Sequence, residues 1–237
     1  MTTLVSYRLV TERLCKNMPL QELPTIKISD LMHYRRTWTT RKQTHTPGFF
    51  WFSTLNQHVY YESHLEKRTL LILDFLGNVQ AILDQPFALH YDGKSHVPDF
   101  LVRYASGQHS IIDVKMKARQ SNEKVTQAFD AARNAAEELG WWYEVHGEQD
   151  PQYEINLDWL SGFRRPSPRV DQYKTKILQA LTPNPLEFGE LVKAVGDPLI
   201  SKPVIFYLLW KKELLLNMNV GISERSVIRI ANQELAS

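Results

Sequence analysis

Apolar residues recur along the chain in two rhythms, and each predicts a different element. From His64 to about Leu76, Leu65, Thr69, Ile72, Leu73 and Leu76 keep the spacing of one helix face. Gly77 is a natural stop there, because glycine enters the left-handed region without strain. Ser121 heads a second helical run, in which Val125, Ala128, Ala132, Ala135 and Leu139 share a face and Gly140 ends the helix. Between these helices the rhythm shortens to that of strands. Ile82–Tyr91 reads as one strand, with Pro86 keeping it from the centre of a sheet. Asp92-Gly93 marks a turn, and Val97–Tyr104 with Ser110–Met116 reads as a hairpin around Ala105-Ser106-Gly107. Trp141–Val145 is a further strand after the second helix. Strand, helix, strand in that order implies a parallel pair with a right-handed crossover. The expected sheet is therefore mixed and the fold class α/β. Residues 1–61 show neither rhythm and are expected to mix short helices with irregular segments.

Ser161–Arg169, with one Gly, two Pro and two Ser, interrupts both rhythms and reads as a linker. The chain then divides into a first domain, 1–165, whose first 60 or so residues form an extension, and a second, 166–237. In the second, Tyr173–Leu181, Leu186–Val195 and Ser201–Lys212 read as helices, the last capped by Ser201 with Pro203 in its first turn. Leu214–Met218 and Val227–Ile230 read as short strands flanking Gly221. Three helices followed by a hairpin is a winged-helix layout. A helix that reads DNA bases needs polar side chains to reach them. Here Val204–Trp210 is almost wholly apolar and leaves only Ser201, Lys202, Lys211 and Lys212, which favours core packing and a protein contact, with any DNA contact limited to phosphates.

Composition narrows the class. With 43% hydrophobic and 23% charged residues among 237, extended disorder and fibrous architectures are excluded. The longest apolar run, Val204–Trp210, is far short of the roughly 18 residues of a membrane span. A single cysteine, Cys15, excludes an internal disulfide, and Met1–Val10 carries no secretory pattern, so a reduced cytoplasmic setting is expected. The formal net charge of +2 neither demands nor forbids nucleic acid, so placement matters. Arg35, Arg36, Arg41 and Lys42 lie among His33, Tyr34, Trp38 and His45, and Arg164, Arg165 and Arg169 form a second cluster. Each is ordinarily a solvated surface, although cations interleaved with aromatics also suit a phosphate backbone.

The chemistry concentrates on the hairpin. Strand side chains alternate, so Asp113 and Lys115 share a face and Val114 takes the other. A hairpin centred on Ser106 pairs positions whose numbers add to 212, which sets Asp99 opposite Asp113, with β-carbons roughly 4.5–5.5 Å apart. This register requires an odd-length loop or a bulge, since a two-residue turn would slip it by one. Two carboxylates in a partly buried sheet repel unless neutralised, and a divalent cation neutralises them well. Mg²⁺ takes one or two carboxylates and accepts phosphate oxygens; it can generate hydroxide and hold charge on a phosphodiester. Lys115 on the same face can orient water or stabilise the growing charge. Glu66, on the first turn of the first helix, is the candidate third acid, with Glu62 the runner-up. Glu66 also fits a capping box with Ser63.

Pro98-Asp99 followed by Asp113-Val114-Lys115 is the PD-(D/E)xK pattern of restriction-endonuclease-like nucleases. A wider run resembles the TnsA endonuclease subunit of heteromeric transposases. It comprises Tyr61-Glu62-Ser63-His64-Leu65-Glu66, Gln85-Pro86-Phe87, His96-Val97-Pro98-Asp99-Phe100-Leu101-Val102 and Ile111–Lys115, and the resemblance spans about Tyr61 to Val145. It implies a restriction-endonuclease-like mixed sheet flanked by helices, and catalytic residues at Glu66, Asp99, Asp113 and Lys115. The three acids would bind Mg²⁺, with Mn²⁺ as a substitute. It implies cleavage at the 5′ ends of a transposable element by metal-activated water, on double-stranded DNA in the bacterial cytoplasm or nucleoid. The implied partners are a DDE-type, TnsB-like transposase subunit and an AAA+, TnsC-like regulator engaged by the C-terminal domain. Two other readings stay open: a stand-alone nuclease of restriction or phage type, and a non-catalytic DNA-binding adaptor.

Overall fold

The computed structural model describes residues 3–35, 47–166 and 168–231. Arg36, Trp38, Arg41, Lys42 and His45 of the first basic cluster lie outside these. The chain forms two compact units, Met1–Glu148 and Gln149–Ser237.

In the first unit the elements run β1 (Leu4–Leu9), β2 (Leu14–Pro19), two 3₁₀ turns (Leu20–Thr25 and Ile28–Asp30), β3 (Leu31–Met32), β4 (Gly48–Phe52), β5 (Gln57–Tyr61) and α1 (His64–Leu76). They continue with β6 (Val79–Asp84), β7 (Phe87–Tyr91), β8 (Lys94–His96), β9 (Phe100–Tyr104), β10 (His109–Val114), α2 (Glu123–Leu139) and β11 (Trp142–His146). One sheet has the order β2-β1-β7-β8 with β3 beside β1; a second has the order β11-β10-β9-β6; β4 and β5 form a separate hairpin. β10 and β11 pair in parallel and the other pairs of the second sheet are antiparallel, so that sheet is mixed, as expected. Gly77 and Gly140 close α1 and α2 at φ 69 and φ 66, as their positions predict. The cap of α2 is Asn122, whose side chain accepts from Lys124 N, one residue later than the Ser121 read from the sequence.

Val5, Tyr7, Phe87, Leu89, Leu101 and Ile111 from both sheets pack with Ala132, Ala135 and Ala136 of α2 into one core. The alanines carry little bulk, so the helix backbone can lie close to the strands it covers. Burying each fully enclosed Phe or Leu here stabilises the unit by about 1.5–3 kcal/mol.

Three expectations are corrected. The described residues of 1–61 hold five strands beside the two short 3₁₀ helices, where no strand was expected, because β1 finds its partner in β7, some eighty positions away, and no local signal announces that pairing. Ile82–Tyr91 is two strands in two sheets. Pro86 has no N–H to offer a ladder and Gln85 takes φ 42, so the chain leaves β6 and enters β7 there. The strand expected from Val97 begins at Phe100, since His96 still pairs with Leu89 in the other sheet. The chain thus crosses between the sheets twice, at Gln85-Pro86 and at Val97-Pro98-Asp99. The two crossings are tied together, Gln85 N–H donating to Asp99 O at 2.8 Å.

In the second unit, α3 (Pro151–Ser161), α4 (Val170–Leu181), β12 (Leu186–Glu187), α5 (Phe188–Val195), α6 (Pro198–Trp210), β13 (Leu214–Leu215) and β14 (Val227–Ile230) follow in order. The sheet order is β12-β14-β13, all antiparallel. The units divide at Glu148, before α3, and not at the 165/166 boundary read from the linker. α3 was invisible to that reading, yet it buries Leu157 and Leu160 and sets Trp159 against Phe206. Asn156 also donates to Met218 O and Val220 O, each at 2.8 Å. α6 starts three residues before the expected cap. Asp197 accepts from Leu199 N with Pro198 in the first turn, and Ser201 lies buried inside the helix. Among the described residues, no helix is long and apolar enough to cross a membrane.

Candidate active site

Over its four paired rungs the hairpin keeps the expected register, which stops one residue short of Asp99. Arg103 pairs with His109, Val102 with Ser110, Leu101 with Ile111 and Phe100 with Ile112. The loop has three residues: Gly107 N–H donates to Tyr104 O at 2.9 Å, and Tyr104 N–H to Gln108 O at 2.8 Å. Gly107 sits at φ 87, the left-handed position that closes such a loop. The ladder ends at Phe100 and Ile112, and Asp99 lies just past it, outside the paired register. Asp99 N–H donates to Ile112 O at 3.1 Å, and Val114 N–H donates to Asp99 Oδ2 at 2.6 Å.

Asp113, Glu66 and Lys115 all act electrostatically on Asp99. Burial pushes the Asp99 carboxyl well above its ordinary range, and the negative charges of Asp113 and Glu66 push it further. The Val114 N–H and the Lys115 ammonium pull the other way and offset only part of that. Burial also raises the Glu66 carboxyl, against the hydrogen bonds from Glu62 and Ser63 and the charge of Lys115. The capping reading of Glu66 holds alongside. Ser63 Oγ accepts from Glu66 N at 3.2 Å and donates to Glu66 Oε1 at 2.7 Å, while Glu62 N donates to Oε2 at 2.7 Å. The cap fixes the side chain at the helix end, where its charge reaches Asp99.

Asp113 is 2% exposed and its carboxylate is fully engaged. His96 Nε2 lies 2.9 Å from each of its oxygens, and Tyr143 donates to Oδ2 at 2.8 Å. Tyr143 is held in turn by the Phe129 ring, with centroids 6.3 Å apart, and by Arg133, whose guanidinium lies 5.5 Å from the Tyr143 ring centroid. Burial, Asp113 and its hydrogen bond raise the Tyr143 phenol far above its usual value, so it remains a donor.

His96 and Tyr143 were not singled out as site residues from the sequence. Neither was Asp84, at the end of β6, whose carboxyl burial raises, with His33 opposing and Glu62 adding. Tyr60 senses Glu62, Glu66 and Asp84 together, so a second group of acids, including Glu62, borders the first.

The hard oxygen donors of Glu66, Asp99 and Asp113 are of the kind Mg²⁺ takes. The raised Asp99 carboxyl marks negative charge that a cation would relieve, so the donor chemistry suits such an ion. Among the described residues, no three His, Cys, Asp or Glu side chains are already arrayed as metal ligands. The hydrogen bonds holding Glu66 and Asp113 account for two of the acids.

A comparison with curated proteins finds no match. The family model described as TnsA-like endonuclease N terminal matches residues 76–148, a span that holds Asp99, Asp113 and Lys115 but begins after Glu66, and over it the chain is similar to that family.

Proposed function

We propose that this chain is a DNA endonuclease of the TnsA type, cutting at the 5′ ends of a transposable element beside a DDE-type transposase subunit. The observation that carries the reading is Asp99: a carboxyl just ahead of the hairpin's first strand, pushed up by burial, Asp113 and Glu66 and drawn down by Lys115. Strongly perturbed groups with identified charged partners are the mark of working sites.

Glu66, Asp99 and Asp113 would hold Mg²⁺, with Mn²⁺ in its stead. The chemistry such an ion supplies is a hydroxide at neutral pH and neutralisation of charge at the phosphorus. The chain's own residues do the rest. Val114 N–H fixes the Asp99 carboxylate, the α1 cap fixes Glu66, and Lys115 offers its ammonium on the face where a scissile phosphate would lie. There it orients the attacking water or holds the developing negative charge.

The second unit supports the partner half of the proposal. Helix, strand, two helices and two strands with order β12-β14-β13 suit a winged helix. Val204, Ile205, Leu208, Leu209 and Trp210 of α6 are buried, so that helix serves the core. This favours docking on a protein, an AAA+ regulator by family resemblance, over base reading.

The test is 5′-end cleavage in the complex reconstituted with its transposase subunit, with Mg²⁺ or Mn²⁺. Asp99→Ala, Asp113→Ala and Lys115→Ala are each expected to lower the rate by about 10²-fold or more. Wild-type rates in all three, with folding intact, would leave the adaptor reading in place of this one.

A further inference from the structure

The contact between His96 and Asp113 is unusual in its symmetry. Nε2 stands 2.9 Å from both carboxylate oxygens, taking up the edge of the carboxylate that a cation bound to Asp113 would also need. Resting on the nuclease reading above, we infer that His96 is a positioning residue that occupies the cation's seat on Asp113 and is exchanged for the cation when the site loads.

A carboxylate 2% exposed needs donors on its lone pairs. Tyr143 supplies one to Oδ2 from a side chain held by Phe129 and Arg133. That bond leaves the bidentate edge open. His96 fills the edge from a different kind of support. It ends β8, a three-residue strand at the border of its sheet, and its side chain keeps 18% of its surface exposed. Past it the chain runs irregularly to Asp99. Rotating the imidazole would therefore move a side chain at a sheet border, whereas moving Tyr143 would break its packing on Phe129 and Arg133. The contact holds Asp113 in orientation while the site is empty, and the same lone pairs become available once His96 leaves. Metal ligands are ordinarily oriented by partners that stay in place; His96 differs because it stands on the ligating edge itself.

The roles of helper and competitor predict opposite signs, which makes the inference testable on the full chain. Free Mn²⁺ is measured by electron paramagnetic resonance against wild type, His96→Ala and His96→Gln. Losing a hydrogen bond to a charged group is expected to tighten Mn²⁺ binding in H96A by about tenfold. H96Q keeps an N–H donor and stays near wild type. In EDTA, H96A unfolds at a lower temperature, and saturating Mn²⁺ raises its midpoint more than that of wild type. Equal or weaker Mn²⁺ binding in H96A overturns the inference. Should H96A fail to fold, Mg²⁺ titration of wild type followed by the imidazole resonances of His96 decides. They move with the binding isotherm if His96 is displaced, and unmoved signals at saturation overturn it. A wild-type chain that takes up no Mn²⁺, with Asp99→Ala behaving identically, overturns the nuclease reading as well.

Discussion

Replacing Asp99 by Asn should make the first unit more stable while removing cleavage. The Asp113 charge acts on Asp99, and charges that shift one another's titration stand within roughly 4–6 Å. At an effective dielectric of about 20, two unit charges at that separation repel by about 3 kcal/mol. Glu66 adds to the repulsion and Lys115 subtracts from it. The amide oxygen of Asn still accepts from Val114 N–H, so little hydrogen bonding is lost. A net gain of about 2 kcal/mol is reasonable, a rise of about 4–8 °C in midpoint for a unit of this size. The sign with pH follows from the raised carboxyl. Asp99 binds protons more readily folded than unfolded, so wild-type stability falls as pH rises from the unfolded value toward the folded one. Thermal unfolding in EDTA at pH 7.5 and pH 5 should therefore show the Asn variant ahead at the higher pH, with the gap narrowing on acidification. An Asn variant less stable at both values, or a gap that widens at pH 5, would refute the electrostatic account of the site.

Two further predictions concern the scaffold. Asp74, 1% exposed on α1, accepts from Ser53 N at 3.0 Å, Thr54 N at 2.9 Å and both hydroxyls. Asp74→Ala would orphan that loop and should cost about 3 kcal/mol in urea unfolding, and a loss under 1 kcal/mol would contradict the assignment. Gly107→Ala meets nothing within 4 Å, so its cost is backbone alone at φ 87, about 1 kcal/mol in the same assay, with Asn at that position recovering part of it.

The legible parts of this protein were those whose partners lie nearby in sequence. The hairpin register depends on a three-residue loop, so arithmetic gave it as far as Phe100 and Ile112, where the ladder ends, and Ser63 with Glu66 announced the α1 cap. β1 stayed hidden because its partner Phe87–Tyr91 is distant, and the break at Gln85 because one proline can sit beside a strand as well as divide two. Asp84 carries no motif. Tyr143 could have been found: it lies two residues before Val145, the parallel partner of Asp113, and so shares that face. His96 needed the pairing of β8 with β7, which no local pattern encodes.

The strand pairing of Leu4–Tyr7 with Phe87–His90 bears on any attempt to trim this protein. A fragment cut to residues 76–148 would keep the hairpin acids yet strip β7 of its neighbour, baring Phe87, Ala88 and Leu89, all 0% exposed in the intact chain, along an unpaired backbone. Such a border recruits other chains. The smallest piece able to remain monodisperse must therefore retain the amino-terminal strand, although the recognisable signature begins seventy residues later.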